Sequence, residues 1–258
     1  VRALVVSNMR PDAVHPERGS FVRDQVSALR KLGPIAVELY EFPPGSAALA
    51  RAALDLRRHL DASGEARARR RAPFDVVHAH FGLSAWPALS VPAHVRALTL
   101  HGTDLRHPRT RLLTRAVLPQ IDLLATVSES LRAELPRRAA ARAQVLPCGV
   151  DLERFKPIAR AEARAQLALD QRRAYVLFAS DPARPEKRVE LARELAATLD
   201  VELLTLGGVA PARVPLWINA SNAVLVPSER EGFGLATLEA LACEVPVLAT
   251  PVGIHAEV

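Results

Sequence analysis

Two glutamates, Glu231 and Glu239, stand eight positions apart in residues 228–250 (SEREGFGLATLEALACEVPVLAT), around a Gly-Phe-Gly turn. Gly232 and Gly234 let a backbone come close to a ligand. Residues 235–242 then read as a helix that carries Glu239 about one turn inside. The first free amides of such a helix point outward and favour an anion, typically a phosphate. Carboxylates beside an anion site suit a ligand that also offers hydroxyls, and a sugar nucleotide offers both. A second group of candidates is the histidines. His101 (HGTD) follows a strand directly, and Asp104 is placed to orient it or to bind hydroxyls. His78 and His80 (FDVVHAH) lie two apart, on one face of a strand. An HxH pair at a strand end can ligate zinc, with His101 and Asp104 as further ligands. The chain lacks the eightfold strand-helix repetition of a barrel hydrolase, so no metal is expected, and cleft lining is the other role weighed for His80 against a plain structural one.

The elements that must hold these residues alternate in type. Strand patterns fall at 3–7, 35–40, 75–79, 97–100, 123–127 and 144–146, and a helix over 20–32 puts Val22, Val26 and Leu29 on one face before Gly33 and Pro34 stop it. After a connector at 149–157 the pattern restarts, with strands at 175–179, 201–206, 223–226 and 247–249 and helices at 187–199, 214–220 and 235–242. Alternation of this kind predicts an α/β fold with parallel sheets. The expected architecture is two Rossmann-like domains facing each other across a cleft, 1–157 and 158–258, with loops at the strand carboxyl ends carrying the chemistry. The second domain reads as truncated.

Composition narrows the classes. The 258 residues are 49% hydrophobic, enough for two ordinary cores, and neither a signal peptide nor a membrane span is legible. Cys148 and Cys243, far apart, indicate neither a disulfide framework nor a metal site, so a reducing cytoplasm is expected. The net charge is +6, yet only three of the 34 basic residues are lysine and aromatics make up 4%, which speaks against nucleic acid. The basic run at 67–71 reads as a solvated helix end or loop, with peripheral contact to anionic lipid on the inner membrane face as the alternative.

Several motifs together resemble retaining glycosyltransferases of family four, which have the GT-B fold. Glu231 and Glu239 are similar to that family's E-x7-E signature. LPCGVDLERFKP (146–157) resembles its domain-crossing segment, with Cys148 in place of Asn, and RPEKR (184–188) resembles its PEKG loop, with Arg188 in place of Gly. FDVVHAHF and LTLHGTDL resemble its histidine-bearing strand ends. The resemblance implies that Lys187 and Arg184 neutralise the donor pyrophosphate and that Glu239 accepts from the ribose hydroxyls. It also implies that Glu231 meets the transferred sugar, while amides of Gly232, Phe233, Gly234 and Leu235 hold phosphate or sugar oxygens. Gly19, in ERGSFVRD, resembles the amino-terminal glycine loop, and His101 the histidine near the transferred sugar.

The function expected from this is a metal-independent, retaining hexosyltransferase that moves a sugar from a nucleotide-sugar donor to an acceptor hydroxyl, with no cofactor. The alternatives are a GT-B epimerase or phosphorylase, or a truncated, non-catalytic nucleotide-sugar-binding protein.

Overall fold

The computed structural model describes residues 1–62 and 74–256. The basic run at 67–71 lies outside them. Two compact units emerge, one of Val1–Asp12 with Arg18–Pro147 and one of Ala13–Glu17 with Cys148–Val258.

The first unit is built on β1 (Arg2–Ser7), β2 (Ala36–Glu41), β3 (Phe74–His80), β4 (Ala93–Leu100), β5 (Leu123–Thr126) and β6 (Gln144–Val145). Among the described residues these form one parallel sheet in the order β2-β1-β3-β4-β5-β6. Leu4, Val5 and Val6 of β1 are all buried, the continuous apolar run of a strand covered on both faces. The crossovers are α1 (Ser20–Lys31), α2 (Ser46–Ala62), α3 (Gly82–Ala88), α4 (Thr103–Arg106), α5 (Pro108–Val117), α6 (Glu129–Ala133) and α7 (Arg137–Ala140). Val22 and Val26 of α1 pack with Val5 and Val37, with Leu29 beside them, and Gly33 at φ 89° follows the helix end. The register sets Ser7 opposite His80 and His80 opposite Thr99, so β1, β3 and β4 finish at one level.

The second unit contains α8 (Arg160–Gln166), β7 (Tyr175–Phe178), α9 (Val189–Thr198), β8 (Glu202–Thr205), α10 (Val214–Ala220), β9 (Ala223–Val226), α11 (Leu235–Ala242) and β10 (Val247–Ala249). Its parallel sheet runs β10-β9-β7-β8. The period of two along β7 divides its side chains between two cores. Tyr175 and Leu177 join Ile218, Val224 and Val226, whereas Val176 and Phe178 join Val189, Ala192 and Leu225. Phe155 anchors the connector in the first of these cores. Asn219 holds the connector's backbone, accepting from the Ile158 N–H at 2.8 Å and donating to the Lys156 carbonyl at 3.1 Å.

In each unit the first strand lies between the second and the third, so the strand order reverses beside it. Open parallel sheets bind ligands outside the strand carboxyl ends at such a reversal. The loops concerned follow β1 and β3 in the first unit, and β7 and β9 in the second.

One expected element is corrected. The helix read over 187–199 begins at Val189, preceded by a 3-10 turn at Pro185–Lys187, because Arg188 takes the left-handed conformation at φ 58°. Glycine adopts that conformation without a Cβ penalty, which accounts for the glycine in the PEKG pattern.

Candidate functional site

In the second unit the loops after β7 and β9 are bound together. Glu229 N–H donates to the Glu186 carbonyl at 2.9 Å, and Lys187 Nζ donates to Glu231 Oε1 at 2.6 Å. Ser228 Oγ donates to the same carboxylate oxygen at 2.7 Å. Lys187 is only 9% exposed, so this ion pair is sheltered from water. The ammonium has three hydrogens and one is committed to Glu231, leaving two for a further acceptor. Sequence reading treated Lys187 and Glu231 as separate ligand contacts and missed both their pairing and Ser228. Arg184 is engaged too, donating through Nε and an NH2 nitrogen to Glu186 Oε1 at 2.9 and 2.6 Å. Burial pushes the Glu186 carboxyl up, but its own backbone N–H, the Arg184 hydrogen bond and the charges of Arg184 and Lys187 outweigh it and hold the carboxyl below its ordinary value.

The Gly-Phe-Gly turn opens α11 as expected, with Gly234 at φ 106° as its cap and Phe233 buried. The closeness at Gly234 is to the chain itself: a Cβ there would come within 2.5 Å of His255 Nε2. The Gly253–Ala256 turn is seated on this cap, with Ile254 N–H donating to the Phe233 carbonyl at 2.7 Å and Gly253 at φ 62° leaving no room for a Cβ against Phe233 O. Glu239 is half-buried on α11, and Thr237, on its first turn, is buried with its hydroxyl unpartnered among the described residues.

In the first unit the histidines gather at the ends of β3 and β4. His80 Nδ1 lies 3.0 Å from His101 Nε2, and the rings stack with centroids 5.2 Å apart. His78 Nε2 is 2.8 Å from Thr99 Oγ1. His80 is 2% exposed, so of the roles weighed for it the structural one holds and it does not line an opening. His101 is half-buried against Phe81 and Phe21, with centroids at 4.6 and 4.9 Å. Burial lowers the pKa of His78 to about 4 and of His101 to about 3, and pushes His80 well down, with the neighbouring imidazoles adding to the effect on His80 and His101. All three are neutral at pH 7.

Asp104 is 3% exposed and faces inward. Its carboxylate accepts from the backbone N–H of His101 at 2.6 Å and of Gly82 at 2.7 Å, so it orients His101 through the main chain and ties the loops after β3 and β4 together. Burial raises its pKa against those hydrogen bonds. It is not placed to bind hydroxyls. Gly19 caps α1 at φ 68°, where a Cβ would meet Met9 O at 2.5 Å, so it permits a close approach to the loop after β1. Phe81, at φ 71° and ψ 142°, holds a conformation rarely taken by anything but glycine. No sequence signal marks that strain, nor the placement of Phe21.

Among the described residues no group of three or more His, Cys, Asp or Glu could hold a metal ion, and no helix is long and apolar enough to cross a membrane. Both cysteines are free, and burial pushes each thiol up to about 11.

Residues 1–154 match the family model described as Glycosyltransferase Family 4, and residues 161–258 match that described as Glycosyl transferases group 1. Curated relatives include the D-inositol 3-phosphate glycosyltransferases of Gordonia bronchialis, 31% identical over 237 residues (70% of this chain and 52% of the relative), and of Actinosynnema mirum, 32% identical over 239 residues (70% and 57%). The chain thus spans about half the length of the curated relatives it matches. Among solved structures, sucrose-phosphate synthase from Thermosynechococcus elongatus superposes with a TM-score of 0.69 at 22% identity, covering 98% of this chain and 82% of that one. HepE from Anabaena, solved with UDP and glucose, gives 0.61 at 17% identity, covering 99% and 82%. These likenesses show the fold.

Proposed function

The chain belongs to Glycosyltransferase Family 4, and from that membership we propose that it is a retaining glycosyltransferase that moves a hexose from a nucleotide-sugar donor to an acceptor hydroxyl. The observation that carries the reading is the sheltered Lys187–Glu231 pair at the strand-order reversal of the second unit, on the same loops that lead to the α11 amino terminus. Lys187, with two hydrogens to spare, and the helix amides meet the donor phosphates, while Arg184 exchanges Glu186 for the same anion. Stabilising the negative charge that builds on the leaving diphosphate is the largest catalytic term available to such a site. With Lys187 and Arg184 supplying that charge, the reaction needs no divalent metal. Glu239 accepts from the ribose hydroxyls and Glu231 from those of the transferred sugar, and the family resemblance assigns His101 to the sugar as well. The departing phosphate takes the acceptor proton on the face of attack, so configuration is retained. The D-inositol 3-phosphate glycosyltransferases among the relatives make a polyol phosphate the first acceptor to try.

A thermal-shift panel of UDP-, GDP- and ADP-sugars tests the donor site. A ligand at 100 times its Kd adds roughly 2.7 kcal/mol to the folded form, and each kcal/mol moves Tm by about 2–4 °C in a chain of this size. At least one donor is expected to raise Tm by several degrees, and Lys187→Ala and Glu239→Ala to abolish the shift while keeping the fold. Undiminished binding in both variants would put the ligand elsewhere.

A further inference from the structure

His80 is buried directly behind His101, its Nδ1 3.0 Å from His101 Nε2. Its other nitrogen, Nε2, is buried and has no hydrogen-bond partner among the described residues. The ring of Phe21, edge-on with its centroid 6.5 Å from that of His80, is too distant to serve as a π acceptor. A neutral imidazole carries a single N–H, so the bond between the two rings has two possible directions. If His101 Nε2 donated, His80 would carry its hydrogen on Nε2, leaving a buried N–H with no acceptor. That kind of orphan is the rarest in folded proteins and costs the full desolvation of the donor. If His80 Nδ1 donates, only a lone pair remains unmatched in the interior.

We infer that His80 is a positioning residue that fixes His101 as the Nδ1–H tautomer, so that the nitrogen His101 presents away from His80 is a hydrogen-bond donor. The His101 ring cannot turn to evade this. Phe81, Phe21 and the stacked His80 ring all pack against it, and Asp104 holds its backbone N–H. Burial keeps both imidazoles neutral at physiological pH, so the doubly protonated ring does not compete. Nδ1 of His101 meets no protein partner among the described residues and is not one of their buried orphans.

A chemical assignment follows, and it rests on the reading of His101 as a sugar contact. A nitrogen that bears hydrogen has no lone pair in the ring plane, so His101 donates to a hydroxyl or ether oxygen of the sugar and cannot take a proton from the acceptor. The proton released as the acceptor oxygen bonds to the anomeric carbon must therefore leave by another group. The departing diphosphate oxygen, which gains the electron pair of the broken glycosidic bond, is the base already at hand.

Multiple-bond proton–nitrogen correlation spectra of the full chain, labelled with 15N-histidine, read the tautomer directly and need no substrate. The expected spectrum has a protonated-type Nδ1 and a bare-type Nε2 for both His80 and His101. A protonated Nε2 on His101 overturns the inference. His80→Phe keeps the ring stack and removes the hydrogen bond, and should move His101 towards the Nε2–H form that free imidazole side chains prefer. His80→Asn, whose amide places an N–H where Nδ1 was, should restore the Nδ1–H form. With the donor identified by the thermal-shift panel, kcat is expected to fall about tenfold or more in His80→Phe with KM little changed, and to recover in His80→Asn. A fall in kcat with the His101 tautomer unchanged would assign the effect to packing and sink the positioning role. The expected tautomers combined with full transfer by His101→Phe would leave the inference standing and overturn the sugar-contact reading instead.

Discussion

At the residue scale, the least expected contact is the one between two residues that each looked like a free ligand-binding group. Glu231 is 44 residues from Lys187 in sequence, and nothing in either neighbourhood announces that they meet at 2.6 Å. Residue types and spacing made both legible as candidates, because a lysine in a loop and a glutamate before a glycine turn have few structural reasons to be there. Their pairing is a property of the β7–β9 adjacency and was out of reach. It has a testable consequence. Glu231→Gln keeps the shape and the Ser228 hydrogen bond but removes a negative charge from beside the diphosphate. Nucleoside diphosphate alone should then bind roughly tenfold tighter, about the repulsion relieved at several ångströms in an effective dielectric of 20 or more. Turnover of the full donor should drop at least a hundredfold. Titration calorimetry set against steady-state kinetics separates the two. Weaker diphosphate binding in the variant would mean that Glu231 serves chiefly to hold Lys187 in place.

At the scale of elements, strands were more legible than helices. The run in β7 alternates between two cores, and α1 shows its buried stripe at Val22 and Val26, so periodicity found both. Helices α3, α4, α6 and α7 are four to seven residues long, too short for a 3.6-residue period to repeat twice, and α3 also contains Pro87. The start of α9 was misplaced for a different reason. An arginine gives no hint of a left-handed conformation, yet Arg188 adopts one. Replacing it with glycine should remove a Cβ clash that costs roughly 1–2 kcal/mol, offset in part by the greater freedom of glycine in the unfolded chain. Urea denaturation of Arg188→Gly is therefore expected to show a gain of about 0.5–1 kcal/mol. A loss of stability would show that the Arg188 side chain contributes more than its backbone strain takes away.

For the whole molecule, the two units should respond differently to acid. His78, His80 and His101 all lie in the first unit and all resist protonation when folded, whereas the unfolded chain takes up protons at the ordinary histidine value of 6.5. Between that pH and about 3–4 the unfolded state binds more protons, so stability falls as pH drops through the window. At pH 5 the loss is at most about 2 kcal/mol for each imidazole. In the second unit the carboxyl of Glu186, held below its ordinary value, keeps its contribution until the pH falls further. Hydrogen exchange at pH 7 and pH 5, corrected for intrinsic rates, should show protection lost across the β1, β3 and β4 amides and retained across β7 and β9. Equal losses in both units would mean that the imidazoles are more hydrated than their burial implies. The shared strand order also bears on how the chain is made. In each unit the first of the described strands to be synthesised is the one that ends up between the next two, so the sheet can grow outward on both sides as synthesis proceeds. Among the described residues no early strand has to wait for a distant partner to cover it, and the described strands of the first unit have been synthesised by Val145, before β7 begins.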